Sequence, residues 1–116
     1  MTGARSTAEL AEVVVDARRR QAHRLRGTDW LLNSDVPGTE LRKHWPVSDR
    51  GRALLDQQLR TQKLNARSAD RILRLSWTIA DLSGHEIPSG DDVDSALAMR
   101  RGTPLGGALR DMVQAS

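Results

Sequence analysis

Apolar residues recur along this sequence at intervals of three and four positions, and no stretch alternates apolar and polar residues for long enough to indicate a β-strand. Spacing of this kind is typical of α-helices that bury one face. The clearest case is a helix predicted over residues 66 to 83, which Asn65 can cap at its start and Gly84 can end. We expect it to be the central helix of the core, with an apolar stripe of Ile72, Leu75, Ile79 and Leu82.

Capping and helix-ending residues delimit the other predicted helices. Ser6 and Glu9 have the spacing of a capping box, Ser48 and Ser89 precede two later helices, and Pro46 disfavours helical geometry in the residue before it. The predicted helices therefore cover residues 7 to 26, 39 to 44, 49 to 62, 66 to 83 and 90 to 100.

Two further apolar clusters are expected to be buried. Residues 27 to 38 have the composition of a loop, yet they include the run Trp30, Leu31 and Leu32, which is too apolar for a free linker. We expect this run to pin the loop to the body of the domain. In the helix over residues 49 to 62, the predicted buried edge consists of Leu54, Leu55 and Leu59.

The fold class that follows is all-α, a small bundle of four main helices plus one short helix. Residues 1 to 102 are expected to form one helical domain. Residues 103 to 116 are expected to be a flexible C-terminal tail, because Gly106 and Gly107 interrupt an otherwise helical spacing of apolar residues.

Composition excludes several classes of protein. The chain has 116 residues, 38% of them apolar, and no cysteine, which rules out disulfides, a thiolate zinc site and a cysteine nucleophile. It has no apolar run of about 18 residues and its first residues are polar, so we expect a soluble, cytoplasmic chain without a membrane span or signal peptide. The net charge of +3 is too small to imply nucleic acid by itself.

Three arginines line the polar side of the central helix. Arg67, Arg71 and Arg74 are spaced i, i+4 and i+7, opposite the apolar stripe. Arg67 lies in the first turn, where the positive end of the helix dipole disfavours a cation unless an anion meets it. One interpretation is that Arg67 receives a phosphate or a carboxylate. The other is a solvated face on which Arg71 and Arg74 pair with Asp70 or with acids of neighbouring helices.

A second basic cluster lies toward the C-terminal end of the first predicted helix. It consists of Arg18, Arg19, Arg20 and Arg24, and few aromatic residues accompany it. Such a cluster can form a nucleic-acid contact. It can equally be ordinary positive charge at a helix C-terminus, where the dipole favours it.

Motifs of autonomous catalysis are absent from the sequence. It contains neither the phosphate-binding GxxxxGK pattern nor GxGxxG, so it cannot itself cradle and hydrolyse a nucleoside triphosphate. His23, His44 and His85 lie far apart, and none has a second ligand at metal-binding spacing. We therefore assign no catalytic residue and no metal site, and expect no cofactor and no activity in this chain alone.

One segment has a fairly specific pattern that is found in a known family. Residues 64 to 84 read LNARSADRILRLSWTIADLSG, which resembles the A-R, R-I-L and T-I-A-D-L core of the C-terminal region of magnesium-chelatase-like AAA+ ATPases of the ComM/YifB competence-protein type. The likeness extends over about residues 6 to 100. This sequence departs from the family pattern at Asn65, usually Ser, at Trp77, usually Arg, and at Met99, usually aromatic.

The resemblance implies the helical lid that follows the nucleotide-binding core of an AAA+ protein. It implies that Arg67 is the sensor-2 arginine, which approaches the ATP γ-phosphate, and that Arg71 and Arg74 support it. The expected partners are then an AAA+ core domain of the same polypeptide, which binds ATP and Mg²⁺, and further copies in a homo-oligomeric ring. DNA would be handled by the whole protein, and the chain would be a C-terminal fragment of it. The alternative is a free-standing helical module that binds DNA or protein through an arginine-rich face.

Overall fold

The computed structural model describes residues 7–100, and all of its regular elements are helical. Five α-helices follow one another along the chain, with one turn of 3₁₀ helix at Asn33–Asp35 between the first two. Helix α1 spans Thr7–Leu25, α2 spans Gly38–His44, α3 spans Asp49–Arg60, α4 spans Ala66–Ser83 and α5 spans Gly90–Arg100. The predicted all-α bundle of four main helices and one short helix is confirmed for this part of the chain.

Side-chain caps fix the starts of three helices as the sequence predicted. The Ser48 hydroxyl accepts a hydrogen bond from the Gly51 N–H at 3.1 Å, and the Asn65 side chain accepts one from the Ser68 N–H at 2.8 Å. Ser89 and Asp92 cap α5 reciprocally, each side chain accepting from the other residue's N–H. Ser6 and the predicted tail at residues 103 to 116 lie outside the described residues.

Helix α4 is the centre of the fold, and α1, α2, α3, α5 and the 3₁₀ turn all pack against it. Of its predicted stripe, Ile72, Leu75 and Ile79 are buried and Leu82 is partly buried. Trp77, Thr78 and Asp81, which lie outside the stripe, are buried as well. The helix ends at Gly84, whose φ of 78° lies in the left-handed region that glycine adopts without strain. None of the helices within residues 7–100 is long and apolar enough to cross a membrane.

Two predictions about apolar residues need correction. Leu31 and Leu32 are exposed by 79% and 40%, so of the apolar run in the loop only Trp30 packs against the core. Leu59 is 37% exposed, so the buried edge of α3 consists of Leu55 with partly buried Leu54. The physical reason is that the neighbouring helices cover only one side of the loop and only part of α3.

We expect the substitution Gly51→Ala to destabilise the domain, although alanine favours helices. A Cβ at position 51 would lie 2.8 Å from Cγ2 of Val93, which is fully buried where α5 packs on α3. Overpacking of this kind costs about 1–3 kcal/mol, which outweighs a helix-propensity gain of at most about 1 kcal/mol. Thermal unfolding followed by circular dichroism measures the difference. Ala53→Gly, at an exposed position of the same helix, reports the propensity term alone, and a stabilised Gly51→Ala variant would contradict the prediction.

Candidate functional site

Arg67 lies on the first turn of α4, two residues after the Asn65 cap. Its side chain is exposed, and among the described residues it forms no hydrogen bond or ion pair. No acidic residue is present in that turn to offset its charge. The first N–H groups of a helix and an unpaired guanidinium both favour an anion. The start of α4 is therefore a place where a phosphate or carboxylate is electrostatically favoured.

The other two arginines on the same side of α4 have different environments. Arg71 is exposed one turn further on and forms no hydrogen bond or ion pair in the described part of the chain. Arg74 is partly buried, and its Nε donates a hydrogen bond to the Val36 carbonyl oxygen at 2.9 Å. Asp70 forms an ion pair with Arg42 of α2, so the predicted pairing of Asp70 with Arg71 or Arg74 is wrong. The solvated face itself, the other part of that alternative, agrees with the exposure of Arg67 and Arg71. Arg67 and Arg71 are thus free to meet a ligand, while Arg74 ties the loop before α2 to α4.

A buried ion pair joins the other end of α4 to α1. Arg24 Nη1 donates to Asp81 Oδ1 at 2.6 Å and Arg24 Nη2 donates to Asp81 Oδ2 at 2.7 Å. The Asp81 side chain is fully buried, and that of Arg24 is 12% exposed. The two parallel hydrogen bonds form the bidentate arrangement that is the strongest for an arginine and a carboxylate.

Polar groups of the 3₁₀ turn complete this buried cluster. The Asn33 amide oxygen accepts from Arg24 Nη2 at 2.7 Å, and its Nδ2 donates to Asp81 Oδ2 at 3.2 Å and to the Thr78 hydroxyl at 3.1 Å. The Asn33 N–H donates to Gln21 Oε1 at 2.7 Å. In the described part of the chain, no buried side-chain nitrogen or oxygen lacks a partner. The cluster is therefore fully satisfied, which is the condition for a buried polar network to stabilise a fold.

Trp77 and Arg20 extend the cluster. The Arg24 guanidinium carbon lies 4.3 Å from the Trp77 ring centroid, and the Trp77 Nε1–H donates to the Trp45 carbonyl oxygen at 3.0 Å. Arg20 Nη1 donates to the Asp81 carbonyl oxygen at 2.6 Å, near the C-terminus of α4. Trp77 thus packs inside the domain, and it faces a cation as aromatic rings favour.

The predicted nucleic-acid cluster is divided by these contacts. Arg20 and Arg24 bind α4, and the Arg24 guanidinium is enclosed. Arg18 is exposed and forms no ion pair or hydrogen bond within residues 7–100. Arg19 is also exposed, with its Nη1 3.5 Å from Asp16 Oδ1. Of the four arginines, Arg18 and Arg19 remain accessible to a phosphate.

Sequence reasoning missed Asp81 and Asn33. Asn33 lies within the predicted loop over residues 27 to 38, and no local signal distinguishes it there as a buried residue. Asp81 carried a usable signal, because an acid in the last turn of a helix meets the negative end of the dipole and needs a cation nearby. Within residues 7–100, no three side chains of His, Asp or Glu come together as metal ligands.

Comparison with known proteins identifies the class to which this helical domain belongs. A family model described as "Magnesium chelatase, subunit ChlI C-terminal" matches residues 4–100. The domain is therefore a C-terminal helical domain of the magnesium-chelatase-like AAA+ class. More particularly, the chain belongs to the magnesium chelatase subunit ChlI C-terminal family.

Curated mycobacterial proteins share this region. The uncharacterized protein Mb2921c of Mycobacterium bovis (strain ATCC BAA-935 / AF2122/97) and the uncharacterized protein Rv2897c of Mycobacterium tuberculosis (strain ATCC 25618 / H37Rv) are each 34% identical to it over 96 residues. The match covers 83% of this chain and 19% of each relative, so the chain spans about a fifth of their length. No solved structure matches the chain.

Proposed function

We propose that this domain is the sensor-2 lid of a ComM-type magnesium-chelatase-like AAA+ ATPase. The lid closes over ATP and Mg²⁺ that the core domain of the same polypeptide binds, and Arg67 contacts the γ-phosphate. Copies of the whole protein assemble into a ring that acts on DNA, as in branch migration. The membership of the chain in the ChlI C-terminal family supports the lid assignment.

The observation that carries the proposal is the exposed, unpaired guanidinium of Arg67 on the first turn of the central helix. An isolated cation at this position is unfavourable in the free domain, because it meets the positive end of the dipole. A triphosphate supplies the missing negative charge, and the planar guanidinium forms two parallel hydrogen bonds with a phosphate group. Exposed Arg71 lies one turn away and adds a second positive charge.

The buried cluster gives α4 the stiffness that such a role needs. Asp81 follows Arg67 by fourteen positions, which corresponds to roughly 21 Å of helix. The helix is held at that distant end by Arg24 and Arg20 of α1. A displacement of Arg67 on ATP hydrolysis therefore moves α4 together with α1 as a rigid body. Such a movement would couple ATP hydrolysis to a conformational change of the whole protein.

Hydrogen exchange tests closure of the lid over ATP. In a polypeptide that contains both this domain and its AAA+ core, saturating ATP analogue is expected to slow amide exchange in the first turn of α4, at Arg67, Ser68 and Ala69. Exchange at α1, whose Arg20 and Arg24 bind the opposite end of α4, serves as the internal control. In the 116-residue chain alone, the same nucleotide is expected to change neither region. Equal exchange of the first turn with and without nucleotide in the longer polypeptide would contradict the proposal.

A further inference from the structure

A carboxylate of α4 lies within reach of the unpaired arginine at the start of the same helix. Asp70 follows Arg67 by three positions, and residues at this spacing are neighbours on a helix surface, where an acid and a base can pair. Within residues 7–100, however, Asp70 forms no ion pair with Arg67. Whatever holds the Asp70 carboxylate away therefore determines whether the Arg67 guanidinium stays available to a ligand.

Two residues of α2 hold the Asp70 carboxylate. Arg42 Nη2 donates to Asp70 Oδ1, and the Asp70 side chain is only 26% exposed. Gly38, the first residue of α2, lies directly against the carboxyl group, because a Cβ at position 38 would overlap the Cγ, Oδ1 and Oδ2 atoms of Asp70. The charge of Arg42 attracts the carboxylate, and the missing side chain of Gly38 leaves room for it. Asp70 is therefore turned toward α2.

Arg74 keeps the start of α2 in this place. Its Nε donates to the Val36 carbonyl oxygen at 2.9 Å, two residues before Gly38, and so ties the segment before α2 to α4. Arg74 is also the base four positions after Asp70, and thus the other arginine of α4 that this acid can reach. Because Arg74 is already bonded to Val36, Arg67 is the one of the two that has no partner among the described residues.

We infer that Arg42 is a positioning residue for the nucleotide contact, because it holds Asp70 against α2 and so leaves Arg67 free for the γ-phosphate. Without Arg42, the Asp70 carboxylate turns to Arg67 and pairs with it. The same carboxylate then also repels the triphosphate, since both are negatively charged. This inference rests on the proposed nucleotide contact of Arg67, and it adds to that contact a residue from another helix.

ATP turnover by a polypeptide that joins this domain to its AAA+ core tests the role of Arg42. Arg42→Ala is expected to lower kcat about two- to fivefold, which corresponds to the strength of an exposed ion pair that Arg67 must break before it stabilises the transition state. Lys43→Ala removes the neighbouring exposed cation of α2 and is expected to leave kcat unchanged. Arg42→Lys keeps a charge opposite Asp70 and is expected to be faster than Arg42→Ala.

Substitution of Asp70 separates this role from a purely structural one. Asp70→Asn breaks the same ion pair, so a pair that only stabilises the fold predicts equal losses of kcat for Asp70→Asn and Arg42→Ala. Under the inference, Asp70→Asn is expected to keep the unsubstituted kcat, and the double variant Arg42→Ala with Asp70→Asn is expected to recover it. A double variant as slow as Arg42→Ala, or an Arg42→Ala variant as fast as Lys43→Ala, would overturn the inference.

Nuclear magnetic resonance of the 116-residue chain observes the competing pair without nucleotide. In Arg42→Ala, exchange of the Arg67 Nε–H with water is expected to slow, because the guanidinium gains a carboxylate acceptor, and adding Asp70→Asn is expected to reverse the change. Circular dichroism verifies that the variants are folded. Unchanged exchange at Arg67 would overturn the inference and leave the proposed function intact. Turnover that is unaffected by Arg67→Ala would instead overturn the proposed function, and the inference with it.

Discussion

The substitution Asp81→Ala is expected to destabilise the domain by about 3–5 kcal/mol. It removes both acceptors of the bidentate pair with Arg24 and leaves that guanidinium, 12% exposed, without a counter-charge inside the fold. Asn33 loses one acceptor in the same step. A domain of this size has a total stability of about 5–15 kcal/mol, so the loss takes a large share of it. Urea unfolding followed by circular dichroism measures the change.

Two comparisons show whether the cost comes from the unpaired buried charge. Asp16→Ala removes an exposed acid of α1, 3.5 Å from Arg19, and is expected to cost less than about 1 kcal/mol. The double substitution Arg24→Met with Asp81→Leu removes both charges and keeps apolar volume, so it is expected to be milder than Asp81→Ala alone. If Asp81→Ala costs no more than Asp16→Ala, the buried pair does not hold α1 on α4.

Local sequence signals were sufficient to predict the helices. The three- and four-residue spacing around Ile72 and the cap at Asn65 act within one or two turns of the chain, and the left-handed Gly84 ends the same helix without reference to other elements. The four main helices and the short one therefore follow from short-range patterns, and the structure changes their ends by only one or two residues.

Burial that depends on distant segments was not predictable in the same way. Trp77 lies off the apolar stripe of α4, but it is buried because Arg24 of α1 covers its ring and the Trp45 carbonyl accepts from its Nε1–H. Leu31 is apolar and yet exposed, because the polar Asn33 beside it takes the buried position. Hydrophobicity alone therefore predicts the burial of these residues wrongly, since an amide side chain whose hydrogen bonds are all formed can be buried in place of a leucine.

The candidate site, too, could be predicted from local sequence signals only in part. The position of Arg67 in the first turn follows from the cap, and so does its conflict with the helix dipole. Which arginine stays unpaired depends on partners more than twenty residues away in the sequence. Arg74 donates a hydrogen bond to the Val36 carbonyl oxygen, and Asp70 forms its ion pair with Arg42. Periodicity placed all three arginines on one side of α4, but it carried no information about those partners.

The substitution Arg67→Ala is expected to lower the ATP turnover rate about 10³-fold or more in a polypeptide that joins this domain to its AAA+ core, by analogy with arginine fingers. An arginine that contacts the γ-phosphoryl group stabilises charge that develops in the transition state. Its loss therefore appears mainly in kcat and to a smaller extent in KM. A 10³-fold loss corresponds to about 4 kcal/mol of transition-state stabilisation. Steady-state phosphate release at saturating ATP measures it.

Matched variants separate this role from a general effect of charge or folding. Arg60→Ala removes an exposed arginine from the last turn of α3 and is expected to leave turnover unchanged. Arg67→Lys keeps the charge but loses the planar pair of donors, so it is expected to restore only part of the rate. In the 116-residue chain, Arg67→Ala is expected to change the free energy of unfolding by less than about 0.5 kcal/mol, as exposed substitutions do. Turnover of Arg67→Ala close to that of Arg60→Ala would remove Arg67 from the mechanism, because an arginine that meets the γ-phosphate cannot be lost without a cost to kcat.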